Sequence, residues 1–229
     1  MLHVVCMTKK IKAYQNKSSL KEFLSNSCAS QFLSDCFQTY NKQKVVMPSD
    51  LLNLFSLKIY AKGTQLVRAG ECWDSFSMIV SGVFRLYYLD KEGKEHTKGI
   101  FLDSEILAPC APSAIGKPIN FYIESFIETQ VYTANYKQVR KILESTVWGR
   151  SVLIGMLESI LEDKVEREYT WLNLNAEERY LRFVSKTPRI AASVPLYMIA
   201  NYLGMTDVTL SRIRKRLKNS LDKMGGRNG

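Results

Sequence analysis

The residues with the clearest chemistry lie near the C-terminus, in the stretch PLYMIANYLGMTDVTLSRIRKRL from Pro195 to Leu217. Two helices that cross closely need a small residue where they touch, and Ala200 meets that need. The short turn between them needs a residue that tolerates a left-handed backbone, as Gly204 does. Apolar residues occupy the places that pack both helices onto a third element: Ile199, Leu203, Met205, Leu210 and Ile213. The spacing predicts a helix-turn-helix.

The second helix of this motif has two contrasting faces. Thr206 is a good N-cap, and at about 100° per residue Leu210, Ile213 and Leu217 form one apolar stripe. The opposite face carries Val208, Ser211, Arg212 and Lys215. Short side chains at the start and basic ones further along suit the major groove of DNA, with early residues at base edges and later ones near phosphates. The alternative is a surface helical hairpin with a solvated basic face.

The charge of the chain favours a polyanionic partner. The formal net charge is +10 and the pI is about 9.3. The last part of the chain holds a cluster of basic residues: Arg212, Arg214, Lys215, Arg216, Lys218, Lys223 and Arg227. A clustered basic excess beside a helix-turn-helix is typical of DNA binding. No apolar run is long enough for a transmembrane helix and no signal peptide is predicted, so we expect a cytoplasmic protein without a membrane partner.

Little in the sequence favours metal or catalytic chemistry. The cysteines are odd in number and scattered: Cys6, Cys28, Cys36, Cys72 and Cys110. No CxxC pair occurs and there are only two histidines, so a zinc site is not expected. The N-terminal cysteines leave an iron–sulfur cluster as one alternative, and reduced, mostly buried thiols are the favoured one. Because there is no Ser/His/Asp set and no P-loop, we expect no catalytic residue, no metal, no cofactor and no enzyme.

The chain before the long helix and the helix-turn-helix has three regions that differ in residue pattern. Residues 1–28 are polar and lysine-rich and are predicted to be a flexible segment, and a helix is predicted over 29–45. From about 52 to 138, short runs of aromatic and β-branched residues alternate with glycine-centred turns, and Glu92-Gly93 is a hairpin signal. This pattern predicts a small antiparallel β-roll, so that a sensor domain occupies 29–146.

From Val147 the apolar period becomes helical, which predicts one long helix in the segment 147–174. Ile154, Leu157 and Leu161 lie on one face, and Val147, Ile154 and Leu161 also repeat every seven residues. A long helix of this kind often pairs with a second copy of itself, so these three residues are the expected dimer interface. The alternative is a helix packed only on its own chain.

A further helix begins at Asn175, where Asn175 and Glu178 match a capping box, and ends at Thr187-Pro188. Residues 175–229 therefore form the predicted DNA-binding domain, and the fold class is α+β.

The order of β-roll, long helix and C-terminal helix-turn-helix resembles the Crp/Fnr family of bacterial transcription regulators. The resemblance covers about residues 30–220 and includes Ala69-Gly70-Glu71, Ser81-Gly82 and Glu92-Gly93-Lys94-Glu95. It implies a cyclic-nucleotide-binding-like roll, a dimerisation helix and a winged helix-turn-helix. The implied partners are a second copy of the chain, a pseudo-palindromic DNA operator and RNA polymerase.

The resemblance also implies site residues. The base-reading places of the family fall on Asp207, Val208 and Arg212, and its phosphate contacts fall on Thr206 and Thr209. With the exposed and basic positions above, the expected DNA-binding residues are Thr206, Asp207, Val208, Thr209, Ser211, Arg212, Arg214 and Lys215.

The cyclic-nucleotide pocket of the family has a Gly-Glu pair and, further on, an Arg-Ser pair. Here Leu107-Ala108 and Asn120-Phe121 stand at those places, and Lys117 is the basic residue nearby. A buried phosphate needs a cation or several amide donors. We therefore expect a homodimeric DNA-binding regulator that does not respond to cyclic AMP. The alternative is a small-molecule sensor whose roll binds a cyclic nucleotide or another effector.

Overall fold

Eight β-strands lie between Ser56 and Asn135, the region with short aromatic and β-branched runs. The structure is a computed structural model that describes residues 27–41 and 47–225, so most of the predicted flexible segment 1–28 lies outside the described residues. The strands are β1 Ser56–Tyr60, β2 Gln65–Val67, β3 Ser75–Ser81, β4 Val83–Leu89, β5 Glu95–Leu102, β6 Ile106–Leu107, β7 Tyr122–Ser125 and β8 Thr129–Asn135.

The strands form two four-stranded sheets, ordered β1-β8-β3-β6 and β2-β7-β4-β5. β1 runs antiparallel to β8, from Ser56 opposite Thr133 to Tyr60 opposite Thr129. Gly82 joins β3 to β4 with a φ of +113°, and a side chain there would overlap the backbone of Thr129. The Ser81-Gly82 turn therefore needs glycine for both its backbone angle and this close approach. The predicted antiparallel β-roll is confirmed.

The described helices follow the predicted order. They are α1 Ser27–Gln38, α2 Ser49–Leu52, α3 Tyr136–Ser145, α4 Val147–Asn173, α5 Ala176–Lys186, α6 Pro188–Ser193, α7 Leu196–Tyr202 and α8 Asp207–Gly225. The long helix predicted from Val147 is confirmed as α4. The helix predicted over 29–45 is observed as α1, which ends at Gln38, and residues 42–46 lie outside the described part.

The chain divides into two compact units. The first contains the described residues up to Leu86 together with Ile100–Glu162, and the second contains Tyr87–Gly99 and the residues from Asp163 onward. The core of the first unit joins the sheet of β3 and β8 to helices α1, α3 and the start of α4. The ring of Phe76 contacts Phe37 and Phe55 at centroid distances of 5.8 and 6.0 Å.

The second unit contains the predicted helix-turn-helix. α7 and α8 are joined at Gly204, whose φ is +65°, and the amide of Met205 donates to the carbonyl of Ala200 at 2.9 Å. The apolar places predicted to be in the core are buried at Ile199, Leu203, Leu210 and Ile213, and Met205 is partly exposed. The capping box at Asn175 is formed, and α5 ends before Thr187 as predicted.

The expected wing of the DNA-binding domain is wrong for the part of the chain that the structure describes, since only helices follow Asn135 there. Pro188 begins α6, because its fixed φ and missing N–H suit the first helical position. Only a short connection then remains before α7 begins at Leu196, and α8 continues to Gly225. The described chain leaves too few residues on either side of the helix-turn-helix for a β-hairpin.

Gly204 also lies against Trp171 of α4, and a Cβ at Gly204 would overlap the indole ring. Gly204→Ala should therefore lower the free energy of unfolding by about 1–2 kcal/mol from the left-handed backbone and by about 1–3 kcal/mol from overpacking. Urea unfolding followed by circular dichroism measures the loss.

Gly93→Ala is the matched control for this prediction, because Gly93 has a φ of +79° and open space around it. It should show the backbone cost alone. Equal losses in the two variants would contradict the role of Trp171.

Candidate nucleic-acid interface

The outward face of α8 is held in place by its inward face. Leu210 and Ile213 are buried and Leu217 is half-buried, as the predicted apolar stripe requires. The hydroxyl of Thr206 accepts a hydrogen bond from the amide of Thr209 at 3.2 Å, which confirms Thr206 as the N-cap of α8. The second helix therefore begins where the sequence places it, and its orientation about its own axis is fixed.

The predicted DNA-binding residues lie on different sides of α8. Val208, Ser211, Arg212 and Lys215 are all exposed and share the face opposite the buried stripe. Arg214 is exposed too, but two helical residues correspond to about 200°, so it lies beside the buried stripe on the far side from Arg212. Asp207 lies on that flank as well. The structure thus brings four of the predicted residues together on one surface and separates two from it.

Thr206 and Thr209, the predicted phosphate contacts, are engaged with each other. Their hydroxyl oxygens are 2.9 Å apart, at the N-terminal end of α8. This end of a helix carries unsatisfied backbone amides and a partial positive charge, which favour a nearby anion. The two residues therefore cap the N-terminal end of α8.

The outward face extends further along α8 than the sequence predicts. A groove on the helix surface is lined by Arg212, Lys215, Arg216, Asn219 and Ser220. The first four of these residues have the spacing i, i+3, i+4 and i+7, so they follow one side of the helix. Arg216, Asn219 and Ser220 are absent from the predicted site, although that spacing would have identified the first two.

The side chain of Asn201 fixes α7 on the β4–β5 hairpin. Its Oδ1 atom accepts from the amide of Thr97 at 2.5 Å, and its Nδ2 atom donates to the carbonyl of Glu95 at 2.7 Å. The amide group thus pairs with the backbone of β5 as a neighbouring strand would. Arg167 of α4 donates to the carbonyls of Lys98 and Thr97 at 2.7 and 3.2 Å. These contacts join hairpin, long helix and helix-turn-helix within the second unit.

Glu166 connects α4 to α5 through two cations. Its carboxylate accepts from Arg182 Nη2 at 2.8 Å and from Lys186 Nζ at 2.6 Å. Hydrogen bonds from Arg182 and Lys186 lower the pKa of Glu166 to about 2. Because the folded-state pKa is lowered, the stabilisation is present above the ordinary pKa of a glutamate and is lost as the pH falls towards 2.

The predicted effector-pocket residues differ in burial. Leu107 and Phe121 are buried, Ala108 is half-buried, and Lys117 and Asn120 are exposed. The ring of Phe121 contacts Trp73 edge-on, with centroids 6.1 Å apart and planes at 88°. Phe121 therefore packs in the roll next to an aromatic neighbour, as a core residue does.

The described cysteines differ in their surroundings. Cys36 is buried, and burial raises the pKa of its thiol. Burial likewise raises the pKa of Cys110 to about 11, while Cys72 is exposed. Among the described residues no three histidine, cysteine or acidic side chains are grouped as metal ligands. Cys6 and the side chain of Cys28 lie outside the described part, and no described helix is long and apolar enough to cross a membrane.

No protein-family model matches the chain. The transcriptional activator protein Anr of Pseudomonas protegens is 26% identical over 172 residues, which cover 69% of each chain. FixK2 from Bradyrhizobium japonicum is similar in structure, with a TM-score of 0.65 and 21% identity over 72% of this chain and 85% of that chain.

A CooA variant from Carboxydothermus hydrogenoformans has a TM-score of 0.61 and 18% identity, over 75% of this chain and 80% of that chain. A protein of Eubacterium rectale, described as a transcriptional regulator of the Crp/Fnr family, has a TM-score of 0.59 and 16% identity over 76% and 85% of the two chains. This chain has the Crp/Fnr fold. The resemblance to that family predicted from the sequence is confirmed, with the C-terminal domain helical throughout its described part.

Proposed function

We propose that this chain is a homodimeric, sequence-specific DNA-binding transcription regulator of the Crp/Fnr type that does not respond to cyclic AMP. The observation that carries the proposal is the outward face of α8, where Val208, Ser211, Arg212 and Lys215 are exposed on a helix whose other face is buried. The sequence similarity to Anr, a transcriptional activator, supports the same function.

The chemistry of this face suits direct reading of DNA. Arg212 has a guanidinium that matches the O6 and N7 acceptors of guanine, and the methyl groups of Val208 match a thymine methyl. Lys215 follows one turn later, where a helix in the major groove passes a phosphate.

The long helix supports a two-fold dimer. Val152 and Met156 of α4 are buried in the core of the first unit, so this side of the helix packs on its own chain. Ile154, Leu157 and Leu161 point the opposite way at helical spacing and are 56%, 49% and 63% exposed. An apolar stripe of this kind favours burial against the same stripe of a second copy. We propose these three residues as the centre of that interface.

The roll supports a lack of response to cyclic AMP. Phe121 stands where the family places the neutral partner of its phosphate-binding arginine, and its ring is packed against Trp73. Lys117 and Asn120 are exposed. The alternative function, a sensor of a cyclic nucleotide or of a less charged effector, uses the same roll, and a titration distinguishes the two.

Selection from a random pool of duplexes should recover a pseudo-palindromic motif with half-sites about 34 Å apart. Arg212→Ala should weaken binding to that motif by about 1–3 kcal/mol and relax one base position. Lys215→Ala should weaken all duplexes similarly and lower the salt dependence. Arg214→Ala, on the other flank of α8, is the control for charge. An unchanged motif and affinity in Arg212→Ala would contradict the assigned face.

Leu157→Asp should shift the protein from dimer to monomer, because it would bury a carboxylate without a partner in the interface. Sedimentation velocity measures the change. Ile59→Asp is the control, since Ile59 is 53% exposed and lies on β1 rather than on α4. A Leu157→Asp protein that sediments as the natural chain does would refute this interface.

Cyclic AMP should give no saturable heat in calorimetry at micromolar concentrations and should leave DNA affinity unchanged. Desolvating its phosphate without a close cation costs several kcal/mol, and each 1.4 kcal/mol is a factor of ten in affinity. Cyclic GMP is titrated in parallel. Saturable binding that Lys117→Ala abolishes would show that Lys117 reaches the phosphate and would favour the alternative function.

A further inference from the structure

Arg216 belongs to the basic groove of α8 but is already paired within the chain. The carboxylate of Glu177, in the first turn of α5, forms an ion pair with Nη2 of Arg216. The side chain of Glu177 is 28% exposed and that of Arg216 is 65% exposed, so the guanidinium remains accessible from solvent. In the groove, Arg212 and Lys215 are therefore accessible to an anion, whereas Arg216 is already paired with the carboxylate of Glu177.

Glu177 is held in this place by local structure. Its backbone amide donates to Oδ1 of Asn175 at 3.0 Å, which fixes the start of α5. A carboxylate in the first turn of a helix is also stabilised by the helix dipole. The neighbouring acid, Glu178, is used differently, since its Oε2 atom accepts from the amide of Asn175 at 2.8 Å. Of these two adjacent acids, only Glu177 is paired with α8.

A carboxylate and a phosphodiester use the same donors of a guanidinium. We infer that Glu177 is an internal counter-ion that occupies, at Arg216, the place of a DNA phosphate and so limits non-specific binding. The inference rests on the proposed function and adds a residue that tunes it. Non-specific affinity depends almost wholly on the number of phosphates that the protein neutralises. Neutralising Arg216 in the free protein removes one such contact from every duplex alike.

The test compares Glu177→Gln with Glu178→Gln in the full chain. Both variants remove one negative charge from the same turn, and glutamine at position 178 preserves the capping box. The affinity for a labelled duplex of random sequence is measured by fluorescence anisotropy at several salt concentrations between 50 and 200 mM. The logarithm of the affinity is then plotted against the logarithm of the salt concentration, which gives a straight line. Glu177→Gln should bind about two- to fivefold more tightly at low salt, as release of an exposed ion pair implies. Glu177→Gln should also steepen the slope of this plot by about 0.9, whereas Glu178→Gln should leave the slope unchanged.

Arg216→Gln completes a double-mutant cycle with Glu177→Gln. Its measurement in the natural background does not depend on the stability of the Glu177→Gln protein. In the natural background it should weaken binding to every duplex, because the Glu177 carboxylate is left unpaired near the phosphates. It should change the slope little, because Arg216 neutralises no phosphate in that background. In the Glu177→Gln background it should remove the whole gain. A loss of about 0.9 in the slope in the natural background would overturn the inference, as would equal slopes for the two glutamine variants.

The outcomes separate this inference from the proposed function. If the natural chain binds no duplex and selects no motif, the proposed function fails and the role of Glu177 fails with it. If the natural chain binds its selected motif while Glu177→Gln behaves as Glu178→Gln does, the proposed function stands and Glu177 is a structural ion-pair partner only.

Discussion

The placement of the outward face of α8 depends on the close approach of Gly204 to Trp171. The turn that joins α7 to α8 has a left-handed backbone at Gly204, and the missing Cβ leaves room for the indole ring. Arg179 covers the other part of this contact, with its guanidinium 5.3 Å from the centre of the Trp171 ring and bonded to the carbonyl of Leu203 at 3.1 Å. One turn, one aromatic ring and one guanidinium therefore fix where the polar and basic residues of α8 point.

The local parts of this arrangement could be predicted from the sequence. The small residue, the glycine and the apolar places of the helix-turn-helix lie within about twenty positions, so their spacing alone specifies the motif. The capping box at Asn175 and the stop at Thr187 are equally local signals. The extent of α4 followed from an apolar period that stays helical over many turns. In each case neighbours along the chain decide the conformation.

Other parts depend on residues far apart in the chain and could not be predicted. Neither Asn201 nor Arg167 has a sequence signal that names the backbone of β5 as its partner. The pairing of Glu177 with Arg216 joins the first turn of α5 to the middle of α8, and both residues look like ordinary surface charges in the sequence. The wing was expected only because of the resemblance to the family, whereas the structure has helix α6, which begins at Pro188. Long-range packing, rather than propensity, decides these features.

The roll and the C-terminal helices use aromatic rings in different ways. In the first unit, Phe37, Phe55 and Phe76 fill a core and need only shape. In the second unit, rings of Tyr202, Trp171 and Tyr169 each lie under an arginine, with Arg167 4.9 Å, Arg179 5.3 Å and Arg182 4.9 Å from the respective ring centres. These arginines also bond carbonyls or the Glu166 carboxylate, so they order the helices while keeping part of their charge at the surface.

The bond between Thr97 and Asn201 spans 104 positions of the chain, which has a consequence for synthesis on the ribosome. At about 5–20 residues per second, the β4–β5 hairpin would leave the ribosome some 5–20 s before Asn201 does. During that interval the edge of β5 has none of its contacts with α7, and its backbone groups at Glu95 and Thr97 face water or a chaperone. The second compact unit is therefore not a segment that folds as it emerges, and its completion waits for helices α7 and α8.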